Sequence, residues 1–481
     1  MNLRPTLRVL GRLLLVLAAA KSVPLVCSLL YREAEASIAF AITAALTGAC
    51  GLLAMRLGGR GELYRREGFL IVVGGWALAS AFGALPYLLT GTVESVADAI
   101  FESASGFTTT GASILTDIEA CGRGILLWRS FTQWLGGMGI IVLFVALLPE
   151  LGAGARFLYR LEVPGPTAET LHPKVQSTAS VLWRIYLVFT GVQIALLMLA
   201  GLDLYDALTH TFSTLSTGGF SPRNASVAAF SSPAVEIIVT VFMILAGANF
   251  SLYYGMKRHG LRALVGDLEF RIYLAVICLV SAAIVLDLLA NGTSVSVGRA
   301  SLDSVFQVAG ILTTTGFATA DFDQWPTVSR LLLVGLMFVG GCAGSTAGGM
   351  KVMRLVIALK AAFREVRLMF SPNTVASVAV GGHAVPEGVV RSVVGFFVLY
   401  LGSYAAGVVL LSVGAPDLET AATASIATLG NIGPGLSAVG PTANFAFFAD
   451  WQKMVMVLLM WLGRLEVYAI AALFAPAFWR R

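Results

Sequence analysis

Residues 98–113 read DAIFESASGFTTTGAS. The same register returns three times, as DALTHTFSTLSTGGFS at 206–221, DSVFQVAGILTTTGFA at 303–318 and TAATASIATLGNIGPG at 420–435. A glycine closes each segment at an equivalent position: Gly111, Gly219, Gly316 and Gly433. Repetition of this kind governs architecture, because each copy is one structural unit whose apolar faces need its neighbours. Every segment is too short and too polar to cross a bilayer, yet lies between two long apolar runs, so it reads as re-entrant. Asp98, Asp206, Asp303 and Thr420 are residue types favoured at helix N-caps, and mostly small or apolar residues follow them. That pattern predicts a short helix of about 15 Å that stops at a glycine turn. A helix whose C-terminal end points at the membrane centre presents partial negative charge, which favours a cation there.

Composition agrees with a membrane solvent. The 481 residues are 57% hydrophobic and 12% charged, whereas a soluble domain carries about a quarter charged residues. Apolar runs of about 18 or more residues recur along the chain, each long enough to span the hydrocarbon core. The run from 13 to 20 follows Arg4, Arg8 and Arg12 like a signal peptide, but the apolar stretch resumes from 23 to 30, which predicts a first membrane anchor. The net charge of +5 needs no nucleic acid to account for it. With the N-terminus inside and alternating spans, 23 of the 32 Lys and Arg residues fall in cytoplasmic segments and 7 outside, with Lys21 and Arg464 within spans. This positive-inside asymmetry sets the expected orientation, with both termini cytoplasmic. Five scattered cysteines and four dispersed histidines (His172, His210, His259, His383) show no metal-ligand spacing.

The pattern predicts two leading spans, near 13–30 and 37–57, then four helix, short segment, helix copies. Their long helices are expected near 68–90 and 128–150, 180–201 and 233–255, 270–290 and 329–352, and 389–413 and 451–473. The expected divisions are 1–66 for the leading pair and 67–165, 166–262, 263–370 and 371–481 for the copies. The fold class is therefore an all-α polytopic membrane protein with four pseudo-symmetric pore repeats around one axis.

A dehydrated cation needs replacement oxygens, and rings of backbone carbonyls supply them where four equivalent loops meet. Glycine permits the required backbone angles. Thr108, Thr109 and Thr110 before Gly111, and Thr313, Thr314 and Thr315 before Gly316, add hydroxyls to the turns. Ser216, Thr217 and Gly218 before Gly219, and Gly430, Asn431 and Ile432 before Gly433, are the divergent members. A single such tetrapeptide would suit ordinary helix packing through small residues. Four in one register, each between two spans, favour a filter, because irregular backbone at membrane depth must line a cavity or lie in protein.

These four motifs, the two extra leading spans and the length resemble the membrane subunit of Trk-type bacterial potassium uptake systems, within the Trk/Ktr/HKT superfamily. The resemblance implies one pseudo-fourfold pore, a homodimer in the cytoplasmic membrane, and a cytoplasmic regulatory subunit that alone binds nucleotide. Potassium is then the substrate, with no cofactor held by the chain itself. In that superfamily glycine at all four filter positions goes with potassium selectivity, and Gly111 places this sequence there. Ion contacts carry over to the carbonyls of Thr109, Thr110, Thr217, Gly218, Thr314, Thr315, Asn431 and Ile432. The fourth copy departs most, with Asn and Ile in place of Thr.

Below the expected filter, residues 339–349 read VGGCAGSTAGG. Glycine weakens a helix interior by about 1 kcal/mol relative to alanine, so a break is expected at Gly340, Gly341, Gly344, Ser345, Thr346, Gly348 and Gly349. Close helix packing is the plain alternative; a loop lying across the pore as a gate is the reading that the resemblance supports. Arg464 lies deep in the last span, where a charged side chain normally faces protein or water. Snorkelling to the inner surface is the alternative, but Arg464 is expected to face the pore as an electrostatic barrier and a partner of that loop, while Glu466 points to another helix. Asp98, Asp206 and Asp303 are expected to cap helices or to concentrate cations at the mouth. The basic, amphipathic stretch 351–367 suits a soluble partner or anionic lipid. A secondary transporter of another small cation or solute would also use broken helices, but in two related halves. An enzyme would need a polar catalytic constellation within the spans, and the sequence has none.

Overall fold

The computed structural model describes residues 3–59, 61, 63–139, 175–294, 296–374 and 376–479. The inner end of the helix expected at 128–150, the boundary at 165/166 and His172 lie outside the described residues. Among those described, six helices are long and apolar enough to cross a membrane, or eight if each of two bent pairs counts as one span.

The leading pair comprises α1 (Leu3–Ala20) with α2 (Ser22–Leu30), and α3 (Ala34–Leu57). The first span thus starts at Leu3 rather than near residue 13, because Arg4, Arg8 and Arg12 sit within the helix. Lys21, at the joint of α1 and α2, is buried and donates to the Thr43 carbonyl, Thr47 Oγ1 and the Phe82 carbonyl at 3.3, 2.9 and 3.0 Å. All three ammonium donors are thereby used, and since Phe82 belongs to the first copy, the lysine ties the leading pair to the pore unit.

The outer helices of the four copies are α4 (Arg65–Leu89), α7 (Val175–Leu199), α11 (Leu268–Ala290) and α15 (Glu387–Leu411). The short helices are α5 (Val96–Phe107), α8 (Leu204–Leu215), α12 (Val297–Leu312) and α16 (Leu418–Leu429). The inner helices begin as α6 (Arg123–Gly137), α9 (Pro233–Ala246), α13 (Thr327–Val339) and α17 (Asp450–Arg464). After breaks, the chain continues as α10 (Phe250–His259), α14 (Val352–Phe370) and α18 (Tyr468–Phe474). A two-residue antiparallel hairpin, β1 (Ala379–Val380) with β2 (His383–Ala384), follows α14, with Val380 paired to His383.

Two sequence expectations need correction. The short helices are capped earlier than expected, by Ser95, Asp203, Ser296 and Asp417, whose side chains accept from the backbone N–H groups of Ala97, Asp206, Arg299 and Thr420. Asp98, Asp206 and Thr420 stand in the first turn instead, because a better placed Ser or Asp lies three residues upstream; Asp303 lies deeper still. The inner helices also break in three copies rather than one. Besides the stretch 340–351, α9 and α10 meet at 93°, and α17 and α18 at 117°. The span expected at 233–255 is therefore broken, as is the last, where Glu466 and Val467 both have φ of 56°.

Candidate ion-conducting site

Three of the four short helices start at the same register and α12 starts earlier, but all end at one register, on Phe107, Leu215, Leu312 and Leu429. Each ends in the same backbone pattern. The N–H groups of Thr110, Gly218, Thr315 and Ile432 reach back to the carbonyls of Ser105, Ser213, Gly310 and Ala427 at 2.8–2.9 Å. Closing this bond requires a left-handed residue just before, a position usually filled by glycine. Here it is held by Thr109, Thr217, Thr314 and Asn431, with φ of 55°, 54°, 59° and 54°. A β-branched residue in that region is an outlier that only the surroundings maintain. Thr109 Oγ1 accepts from Arg464 Nη1 at 3.2 Å, and Thr314 Oγ1 from the Gly348 N–H at 2.7 Å. Asn431 Nδ2 donates to Thr110 Oγ1 and the Met460 carbonyl at 2.9 and 3.0 Å.

The glycines that follow close a ring. A Cβ on Gly111 would lie 2.1 Å from the Gly218 carbonyl oxygen, on Gly219 1.9 Å from that of Thr315, and on Gly316 2.0 Å from that of Ile432. On Gly433 it would lie 2.9 Å from the Thr110 oxygen. Each glycine abuts the carbonyl of the residue before the next copy's glycine, in the order first, second, third, fourth and back to first. All four also have positive φ, from 75° to 101°. No side chain fits at these positions without moving a neighbour's backbone.

Thr109, Thr110, Thr217, Thr314, Thr315, Asn431 and Ile432 are buried, and among the described residues no hydrogen bond reaches their carbonyls. Buried carbonyls are rarely left so. Gly218 differs: its carbonyl accepts from Gln133 Nε2 at 2.6 Å, while Gln133 Oε1 accepts from the Phe220 N–H at 3.0 Å. The second copy is thus braced from the first, a departure from fourfold equivalence.

On one side of the ring a cavity of about 150 Å³ has Gly111, Gly219, Gly316 and Gly433 in its wall. The segments leaving the first two turns are joined there by a buried ion pair. Arg129 Nε meets Glu102 Oε1 at 2.7 Å, with both side chains at most 2% exposed. Glu102 also accepts from the Ile114 N–H and Ser113 Oγ, and Arg129 donates to Ser113 Oγ and the Ser221 carbonyl. The acids expected to draw cations are each neutralised: Asp98 by Lys453, Asp206 by Arg223 at 2.6 Å and Asp303 by Arg299 at 2.6 Å. Asp117, in the loop after the first turn, accepts from Asn224 Nδ2, and that bond lowers the pKa of its carboxyl from its ordinary value.

On the other side all four inner helices converge on the stretch 340–351. Cys342 N–H donates to the Gly247 carbonyl at 2.9 Å, and Thr346 Oγ1 to the carbonyls of Ala246 and Leu215 at 3.1 and 3.0 Å. The bend of the second copy is where the carbonyls of Ala246 and Gly247, at the end of α9, receive the loop, while that of Leu215 lies at the end of α8. Arg464, the last residue of α17, donates to the Thr346 carbonyl and the Gly137 carbonyl at 2.8 Å each, and to that of Gly136. Beyond the bend, Glu466 pairs with Arg354 of α14, not with Arg464, as its position in the sequence predicts. A small cavity of about 50 Å³ is walled by Gly137, Gly344, Ser345, Gly348, Lys351 and Arg464. The structure thus brings the glycine stretch and Arg464 together directly beneath the ring.

Sequence reasoning passed over Gln133, Glu102, Arg129, Glu269 and Arg354. The signal was present for Glu102, a carboxylate within the first quoted segment itself, since an ionisable residue at membrane depth has a partner or a task.

The chain is similar throughout to characterised proteins. It is 39% identical over 489 residues to the Trk system potassium uptake protein TrkH of Halomonas elongata, with all of each chain covered. It is 37% identical over 485 residues to that of Escherichia coli K12, again with full coverage of both. The crystal structure of the potassium transporter TrkH from Vibrio parahaemolyticus superposes with a TM-score of 0.90 at 37% identity, covering 100% of both chains. The model of the TrkH family of cation transport proteins matches residues 35–481. A fourfold motif that closes on itself, on a scaffold shared end to end with these relatives, makes the chain a member of the TrkH family of cation transport proteins.

Proposed function

We propose that this chain takes potassium up across the bacterial cytoplasmic membrane, through a filter made by the four glycine turns. The observation that carries the reading is the closed ring with the buried carbonyls of Thr109, Thr110, Thr217, Thr314, Thr315, Asn431 and Ile432, which no hydrogen bond reaches among the described residues. Such oxygens replace a cation's hydration shell, and four short helices end there with their negative poles inward. The names of the full-length relatives support potassium as the ion. One rotational sense around all four copies distinguishes this arrangement from two inverted halves.

Residues 67–165, 166–262, 263–370 and 371–481 form the quarters of the pore in this reading, and both termini face the cytoplasm. The filter consists of Thr109 to Gly111, Thr217 to Gly219, Thr314 to Gly316 and Asn431 to Gly433. Beneath it, Gly340, Gly341, Gly344, Ser345, Thr346, Gly348 and Gly349 belong to a gate held closed by Arg464. A fixed guanidinium beside a narrow path repels a cation by several kcal/mol at an effective dielectric of about 20. The resemblance adds a homodimer and a cytoplasmic subunit that binds nucleotide and moves the gate.

The test is potassium-limited growth of an uptake-deficient bacterium carrying this chain, with and without a nucleotide-binding subunit. Growth at low potassium that requires both is the expected result. Failure of growth with a correctly inserted chain and its partner overturns the reading.

A further inference from the structure

The stretch 340–351 is tied at both shoulders to one atom. Glu269, in the first turn of α11, accepts on Oε1 from the Ala343 N–H at 2.8 Å and from the Met353 N–H at 3.0 Å. Ala343 lies near the start of the stretch and Met353 in the first turn of the helix beyond it. Glu269 is 4% exposed, and a buried carboxylate persists only where hydrogen bonds offset its lost hydration. Backbone bonds also draw the ends of the stretch together, from the Val352 N–H to the Gly341 carbonyl at 3.1 Å and from the Met350 N–H to the Phe338 carbonyl at 3.4 Å, while Lys351 Nζ meets the carbonyl of Ala347; Glu269 is the restraint supplied from outside the third inner helix and its loop. Between the shoulders, the tip makes the contacts that close the path, through Thr346 and through Gly348 to Thr314. Asp267 and Lys351 are the other charged groups whose fields reach Glu269.

We propose that Glu269 is the positioning residue of the gate: by gathering both shoulders on one oxygen it shortens the free span of the loop and holds its tip under the ring. The proposal rests on the reading of that loop as a gate. It goes further in assigning the resting position to a residue outside the loop, on the outer helix of the same copy. What the clamp needs is an acceptor oxygen at the right reach, not a charge. Glutamine keeps that oxygen, whereas aspartate keeps the charge but withdraws the oxygen by about one C–C bond, ~1.5 Å.

The experiment measures rubidium flux by the purified full-length chain in proteoliposomes, without a partner subunit. It compares wild type, E269Q, E269D, E269A and a chain lacking residues 344–348. E269D and E269A are expected to conduct about tenfold faster, the ratio that ~1.4 kcal/mol produces. E269Q is expected near the wild-type rate, and the rubidium over sodium preference should be unchanged in all. Should E269A fail to insert, the contrast between E269Q and E269D decides. A fast E269Q with a wild-type-like E269D would mean that charge, not reach, matters, and would overturn the clamp. A fast shortened chain with E269D and E269A at the wild-type rate overturns the clamp while leaving the gate reading intact. A shortened chain at the wild-type rate removes the gate and the clamp together. Loss of ion preference in E269D overturns it too, by placing Glu269's effect on the ring.

Discussion

Gly219 and Gly433 occupy equivalent positions with unequal room. A methyl group on Gly219 would lie 1.9 Å from the Thr315 oxygen, one on Gly433 2.9 Å from that of Thr110. Gly219→Ala should therefore abolish rubidium over sodium preference, while Gly433→Ala should reduce it only severalfold. Paired flux measurements in proteoliposomes check the order, and equal effects would argue that the ring does not select. Gly111→Ser belongs with Gly219→Ala, since the oxygen it meets is 2.1 Å away. Glu102 is a different case, because it acts through Arg129 and Ser113 rather than on the ring. Removing one member of a buried ion pair costs about 3–5 kcal/mol. Glu102→Gln should therefore lower the thermal unfolding midpoint of the detergent-solubilised chain by several degrees, and an unchanged midpoint would show the pair to be dispensable.

Among the elements, the short helices and the glycine stretch were legible because their signals are local. The shared register of the turns survives translation into structure, although the caps of α8 and α16 fall on Asp203 and Asp417, three residues before the Asp206 and Thr420 that the pattern suggested. The bends after α9 and α17 were not legible. Gly247 and Asn249 mark the first only weakly, and what opens the helix is the arrival of Cys342 and Thr346 from a segment about a hundred residues away. The second bend likewise depends on Glu466 finding Arg354 on α14. These contacts are tertiary, and no periodicity within one helix encodes them. They also make a prediction. Arg464→Ala removes a cation beneath the ring and its bonds to Thr346, Gly136 and Gly137. It should raise flux without a partner several-fold while leaving ion preference intact. Wild-type flux from an inserted variant would place the barrier elsewhere. Arg354→Glu should perturb the same step, and the double exchange Arg354→Glu with Glu466→Arg should restore part of it, as a coupled pair requires.

At the scale of the molecule, the inner helices of four quarters meet beneath the ring, so a displacement of α14 is felt by copies two, three and four at once. An exposed stripe on that helix, Leu359, Phe363, Val366 and Phe370, faces away from the packed quarters. In the proposed orientation it lies on the cytoplasmic side. If a nucleotide-binding subunit governs flux, adding it with and without nucleotide to proteoliposomes should change the rate of wild type more than that of a chain lacking residues 344–348. Equal responses would place its action outside the loop.

The ring also has a direction. Every glycine leans on an oxygen that belongs to the next copy, so damage in one quarter is suffered by its neighbour. The joint between the fourth copy and the first is the roomiest, and it is bridged by Asn431 to Thr110, a hydrogen bond between side chains. A fourfold assembly of identical subunits would have to share any slack equally among its joints. By fusing four unlike quarters into one chain, this protein confines its compliance to a single seam, much as a split washer does, and the copy whose motif has drifted furthest is the one that borders it.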